Sequence, residues 1–100
     1  MARTSLATRF VVVGEAADGR AALTLARELR PDVVLLDVHL PDIDGFAVAD
    51  ALSGEEDSPV VVMTSSRDRA EFESSLRTSR VHAFIPKERL SASALADALA

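Results

Sequence analysis

Three polar residues follow short apolar runs, and their types suit phosphoryl chemistry. Asp37 and Thr64 each come directly after four consecutive apolar residues, and Lys87 lies two residues past Ile85. A carboxylate can attack phosphorus and form an acyl phosphate, while an ammonium and a hydroxyl donate hydrogen bonds to phosphoryl oxygens. Alternatively, Asp37 caps a loop, Thr64 completes a strand and Lys87 is solvated, because polar residues at strand ends are common. Spacing alone does not choose between these interpretations.

The elements that must position these residues begin with three continuous apolar runs, at 10–13, 33–36 and 60–63. Continuous runs rich in β-branched residues are typical of parallel strands covered on both faces. A weaker strand is predicted at 82–85, and each interval has room for one helix and two loops. The order βαβαβαβ predicts an open α/β sheet, whose functional groups collect beyond the carboxyl ends of the strands.

One helix is predicted after each of these strands. The four helices begin at or next to Asp18, Asp44, Asp68 and Ser91. Asp18 and Asp44 are suitable N-caps, and Pro31 ends the first helix. The third helix, at 68–78, has a thin apolar stripe, with Phe72, Leu76 and Ser79 or their neighbours inward. No linker, repeat or low-complexity segment interrupts the order, so residues 1–100 are interpreted as one domain without an output domain.

Composition excludes several classes of function. The chain has 100 residues, a net charge of -5, no cysteine and no Trp or Tyr. The negative charge disfavours direct nucleic-acid binding, and the lack of cysteine excludes disulfides and thiolate metal sites. No apolar run approaches the roughly 20 residues of a membrane span, and residues 1–10 do not form a secretory signal. We therefore expect a cytoplasmic location, without membrane or nucleic-acid partners.

The segments around the three polar residues resemble the receiver domain of two-component response regulators over most of the chain. The matching stretches are VVVGEAADGRAALTLARELRPDVVLLDVHLPDIDGF (11–46), PVVVMTSS (59–66) and AFIPKERLS (83–91). The arrangement Asp37-x-x-x-Pro41-x-x-x-Gly45, with Thr64 and Lys87 in register, is specific. The resemblance implies an α/β flavodoxin-like (CheY-like) fold, a doubly wound parallel sheet.

The resemblance also implies a role for each site residue. Asp37 corresponds to the phosphoacceptor, Thr64 to the switch hydroxyl and Lys87 to the phosphate-pairing lysine. Phe84 corresponds to the aromatic residue that changes rotamer when Thr64 moves inward. Asp37 and the backbone carbonyl of His39 correspond to ligands of Mg²⁺, and the implied partner is a histidine kinase.

The N-terminus departs from the family pattern. In the family, a first strand ends in two acidic residues that bind Mg²⁺, and this sequence starts after them, with residues 1–9 aligned to the tail of the first helix. We expect the fold to lack the first strand and most of the first helix. In the family order 2-1-3-4-5 the missing strand is central, so its loss would expose two strand edges. Candidate replacement ligands are Glu15, Asp18, Asp42 and Asp44, although turn and helix-starting roles are favoured for Glu15, Asp18 and Asp44.

Three hypotheses follow from the sequence. In the first, the chain is a phosphoacceptor receiver, impaired by loss of the acidic pair. In the second, it is a degenerate receiver that is not phosphorylated and acts as an interaction module, with a homodimer as one arrangement. In the third, Met1 is not the true start, and an upstream segment supplies the strand and the acidic pair.

Overall fold

Strands and helices alternate over most of the chain. A computed structural model describes residues 3–4 and 10–100. The strands in this part are Arg3–Thr4 (β1), Phe10–Val11 (β2), Val33–Asp37 (β3), Val60–Ser65 (β4) and Ala83–Pro86 (β5). The α-helices there are Gly19–Leu29 (α1), Gly45–Ser53 (α2), Glu73–Thr78 (α3) and Ala92–Leu99 (α4), and Arg69–Phe72 and Lys87–Arg89 form 3₁₀ helices. None of these helices has the length and apolar content needed to cross a membrane.

A parallel sheet with the order β3-β4-β5 positions the polar residues. Asp37 is the register partner of Thr64, and Thr64 is the register partner of Ile85. Each parallel pair is joined through a helical crossover, as parallel strands require. Asp37, Thr64 and Ile85 therefore lie side by side at the carboxyl end of the sheet, and Lys87 directly follows β5 at that end.

The two faces of the sheet pack into separate apolar clusters. Along β4, Val61 and Met63 join the cluster under α1 and α2, whereas Val62 joins Leu95 of α4 on the opposite face. This alternation follows from the two-residue period of a strand. Full burial of a side chain such as Val62 contributes roughly 1.5–3 kcal/mol, so helices on both faces stabilise the sheet.

Side-chain oxygens cap three helices at the predicted positions. The side chains of Asp18, Asp44 and Ser91 accept hydrogen bonds of 2.7–3.0 Å from first-turn amides. The C-cap of α1 is Arg30, which has a left-handed φ of 47° and directly precedes Pro31. Such caps satisfy amides that have no partner within the helix, which fixes where α1, α2 and α4 begin.

The first apolar run was wrongly predicted as a strand of the parallel sheet. Phe10–Val11 instead pairs antiparallel with Arg3–Thr4, so residues 3–4 are not the tail of a helix either. Two segments so close in sequence can pair antiparallel through a short loop, whereas a parallel pair needs a long crossover. The rest of the predicted helix tail, at residues 1–2 and 5–9, lies outside the described residues.

The third helix and the last strand also differ from the sequence prediction. The segment predicted as one helix over 68–78 begins as the 3₁₀ helix Arg69–Phe72 and becomes α-helical only at Glu73. The side chain of Asp68 forms no capping hydrogen bond, and an uncapped first turn tightens readily into 3₁₀ geometry. Strand β5 covers Ala83–Pro86, one residue later than predicted.

Candidate functional site

A lysine and a carboxylate meet at the carboxyl end of the sheet. The Nζ atom of Lys87 lies 2.6 Å from Oδ2 of Asp37. The two side chains are 48% and 29% exposed, respectively, so solvent and a ligand can reach them. Exposed ion pairs stabilise a fold by only about 0–1 kcal/mol. The pair therefore matters mainly because it holds a cation against one carboxylate oxygen.

Thr64 lies beside Asp37, but its hydroxyl faces the other neighbouring strand. The residue is buried, and its Oγ1 donates a 2.7 Å hydrogen bond to the carbonyl oxygen of Ile85. Its own carbonyl oxygen accepts a 2.9 Å bond from the amide of Val38. The predicted convergence of Asp37, Thr64 and Lys87 is thus observed, with Thr64 bonded to β5 rather than to the carboxylate.

The loop after β3 closes tightly around Asp37. The amide of His39 donates to Oδ1 of Asp37 over 3.2 Å, and the amide of Gly45 donates to the carbonyl oxygen of Val38 over 2.9 Å. A Cβ atom at Gly45 would overlap the carbonyl oxygen of Asp37. The spacing from Asp37 to Gly45 therefore has a physical cause, because the start of α2 packs on the backbone of the phosphoacceptor candidate.

A further carboxylate fastens this loop to α1. Asp42 accepts hydrogen bonds from the amides of Gly19 at 2.7 Å, Arg20 at 3.0 Å and Ile43 at 2.9 Å. The bond from Gly19, with those from Arg20 and Ile43, holds the pKa of the Asp42 carboxyl below its ordinary value, although partial desolvation opposes this. The sequence analysis did not predict these hydrogen bonds from Asp42 to α1. Their only signal in the sequence is an acidic residue in one loop and a helix start elsewhere in the chain.

Phe84 lies on β5 directly before Ile85 and is half-buried. Its ring centroid is 6.0 Å from that of Phe72, which also lies 5.8 Å from the ring of His39. The sequence predicted Phe72 as an inward residue but gave no sign of these contacts. The residue implied to change rotamer therefore packs against a ring that also touches the loop after Asp37.

A cavity of about 210 Å³ opens beside Asp37 and Thr64. Asp37 and Thr64 line one part of it, and Ala22, Val34 and Leu40 supply apolar walls. The cavity therefore borders Asp37 and Thr64, whereas Lys87 and His39 are not among its lining residues.

The carboxylates near the site do not form a complete magnesium site. Asp18, Asp42 and Asp44 are all engaged by helix-terminal amides. In the part of the chain that the structure describes, no group of three or more His, Cys, Asp or Glu side chains could hold a metal, and residues 1–9 contain no acidic residue. Mg²⁺ takes an octahedron of oxygen ligands, of which a protein usually supplies one or two carboxylates. Asp37 and the His39 carbonyl supply only part of that octahedron.

One family model matches the whole chain. The response regulator receiver domain model aligns to residues 1–100. The fold is similar to the signal receiver domain of the response regulator NarL from Mycobacterium tuberculosis, with a TM-score of 0.77 and 35% identity. That alignment covers 96% of this chain and 77% of the other.

Curated relatives share the same region. One is a protein-glutamate methylesterase/protein-glutamine glutaminase of Anaeromyxobacter dehalogenans, 44% identical over 61 residues, which are 61% of this chain and 18% of the relative. Another, named as a transcriptional regulator (ycf27) of Cyanophora paradoxa, is 36% identical over 94 residues, covering 86% of this chain and 39% of that protein. The chain thus spans well under half the length of either relative.

Proposed function

Because the chain belongs to the response regulator receiver domain family, we propose that it accepts a phosphoryl group on Asp37 from a cytoplasmic histidine kinase. One carboxylate oxygen of Asp37 attacks phosphorus, and a new O–P bond forms. The P–N bond of the donor phosphohistidine breaks, and its electron pair stays on the imidazole nitrogen. The product is an acyl phosphate on Asp37.

The 2.6 Å contact between Lys87 and Asp37 is the observation that supports this proposal most strongly. The ammonium lies where negative charge accumulates on the phosphoryl oxygens during transfer, and a fixed cation there lowers the barrier. Thr64 assists by turning its hydroxyl from Ile85 towards a phosphoryl oxygen. Phe84 then repacks, which changes the surface of β5 that a partner protein reads.

Mg²⁺ is the cofactor that the family pattern implies for this site. Receivers generally use Mg²⁺, which supplies charge neutralisation at the phosphoryl group, and Asp37 and the His39 carbonyl are the residues that the family pattern assigns to it here. The described carboxylates do not complete such a site, so the steps above are assigned to the side chains of this chain alone.

A second function is favoured by the incomplete set of magnesium ligands. Three aspartates near the site accept hydrogen bonds from helix amides, and among the described residues no group of three or more His, Cys, Asp or Glu side chains could hold Mg²⁺. In this alternative the chain binds partners, or a second copy of itself, without being phosphorylated. Asp37, Thr64 and Lys87 then maintain the shape of the loop and do no chemistry.

Intact-mass measurement after incubation with acetyl phosphate, over a series of Mg²⁺ concentrations, distinguishes the two functions. We expect the native chain to gain the mass of one phosphoryl group and Asp37→Asn to gain none. Asp50→Asn is the matched control, because Asp50 is an exposed aspartate on α2, away from the site. A native chain that gains no mass at any Mg²⁺ concentration would support the interaction module instead.

A further inference from the structure

Phe72 contacts three other aromatic rings, and these contacts join the loop after Asp37 to strand β5. Its ring centroid lies 5.8 Å from His39, 6.2 Å from Phe46 and 6.0 Å from Phe84. All three separations are within the range of favourable aromatic pairs. We infer that Phe72 is a positioning residue that couples the conformation of the His39 loop to that of Phe84.

At one end of this connection, His39 follows the state of Asp37 directly. Its amide donates to Oδ1 of Asp37, and its backbone pairs with Asp44, the N-cap of α2, in an isolated antiparallel bridge. A phosphoryl group on Asp37 changes the charge and the position of the acceptor for that amide. The ring of His39 must then move relative to its neighbour Phe72.

At the other end, Phe84 lies on β5, the strand that accepts the hydrogen bond from the Thr64 hydroxyl. Phe84 is half-buried, and the next residue, Ile85, supplies the carbonyl that accepts that bond. Among the described residues, no ring contact joins His39 to Phe84, and Phe72 is the ring that touches both. A displacement at His39 therefore has a contact path to Phe84 that does not involve Thr64.

The segment that carries Phe72 is weakly held, which allows the ring to shift. Neither the 3₁₀ helix Arg69–Phe72 nor α3 contains a buried residue, and Asp68 provides no capping bond. Phe72 and Leu76 are the residues of this segment that pack against the core cluster. Segments with few buried apolar contacts open or shift at a low free-energy cost.

A double-mutant cycle read by NMR tests the coupling. The chain has four Phe residues, so ring-labelled phenylalanine gives few aromatic signals, which can be assigned by substitution. We expect His39→Ala to shift the Phe84 ring signals in the native background and to lose most of that effect in a Phe72→Leu background. An equal shift of the Phe84 signals in both backgrounds would overturn the inference.

Two further variants separate coupling from simple destabilisation. Phe72→Tyr keeps the ring, so the effect of His39→Ala on Phe84 should return. Leu76→Val perturbs the same segment outside the ring contacts, so it should leave that effect intact. If Leu76→Val abolishes the effect as Phe72→Leu does, the segment acts only through its packing and the inference fails.

The inference rests on the proposed function only for its trigger, phosphorylation of Asp37. The NMR cycle needs no phosphoryl donor, whereas the mass measurement with acetyl phosphate tests the phosphoacceptor role alone. Failure of one is therefore distinguishable from failure of the other. Where the adduct forms, the Phe84 signals should move on phosphorylation, and Phe72→Leu should reduce that movement.

Discussion

The backbone around Asp37 leaves no space for a side chain at position 45. A Cβ there would overlap the Asp37 carbonyl oxygen and lie 3.0 Å from Cα of Val38. Both are backbone atoms, so neither can rotate away as a flexible side chain could. The geometry of the loop after Asp37 thus depends on a residue that has no side chain.

Gly45→Ala should lower the free energy of unfolding by about 1–3 kcal/mol, because it overpacks α2 against the site loop. Urea denaturation measures the loss. Gly54→Ala is the matched control, since the atoms nearest to its Cβ would be backbone oxygens at 3.9 Å and its φ is -84°. Its stability should be unchanged or higher by up to about 1 kcal/mol, because alanine restricts the unfolded chain. Equal losses in the two variants would contradict this account of the loop.

Lys87→Ala should slow phosphorylation of Asp37 by acetyl phosphate about 100-fold, because the fixed cation next to the reacting oxygens is lost. The free energy of unfolding should change by less than about 1 kcal/mol, since the pair is partly exposed. The rate is followed by intact mass against time. Arg89→Ala, which removes an exposed cation from the same 3₁₀ helix, should keep the native rate. A native rate in Lys87→Ala would remove the lysine from the mechanism.

At the scale of elements, the sequence predicted the features that depend on residues close together along the chain. Asp18, Asp44 and Ser91 start helices because their side chains reach amides two or three residues away, and a sequence displays such short-range chemistry directly. The strand register, which aligns Asp37 with Thr64, followed from apolar runs of similar length. The roles assigned to these residues in phosphorylation remain predictions.

Contacts between distant segments were not predictable in the same way. The Asp42 side chain bonds to the amide of Gly19 in another element, and the ring of Phe72, on the 3₁₀ helix, contacts the ring of His39 in the loop after β3. The pairing of Arg3–Thr4 with β2 was missed since two polar residues show no strand pattern. Each miss concerns an interaction that depends on the folded arrangement of two elements.

Asp42→Asn should weaken the link between the site loop and α1 in a pH-dependent way. The folded pKa of Asp42 is lowered, so its carboxylate stabilises the fold above the ordinary aspartate pKa, and this contribution is lost as pH falls through the folded pKa. The variant should be less stable at neutral pH, and its free energy of unfolding should fall less steeply from about pH 5 to pH 2. Urea denaturation across that range provides the measurement, with Asp50→Asn as the exposed control that keeps the native slope.

At the scale of the whole molecule, a compact body presents an open sheet edge. The radius of gyration is 12.5 Å, close to the roughly 13 Å of a folded domain of this length. Within the described residues, β3 is an edge strand, and Val11 of β2 and the next residue, Val12, are 59% and 63% exposed. Unpaired edges and exposed apolar residues favour association between chains.

Sedimentation velocity over a range of concentrations should show reversible association of the native chain. Val12→Lys should shift the distribution towards monomer, because a charged side chain at this exposed position removes apolar surface that favours association. Its melting curve should stay native-like, since the replaced side chain is mostly solvent-exposed. A native chain that sediments only as a monomer at every concentration would contradict the expected self-association.

The bond between Thr64 and Ile85 sets an energetic condition on any switch in this protein. A hydroxyl has one proton to give, and Thr64 gives it to the Ile85 carbonyl within a buried part of the sheet. If the proton is redirected to a phosphoryl oxygen, the hydrogen bond to that carbonyl is lost, at a net cost of about 0.5–1.5 kcal/mol. If Asp37 is phosphorylated as proposed, the contacts of the phosphoryl group must offset this loss, and removal of the phosphate favours the conformation in which Thr64 bonds to Ile85.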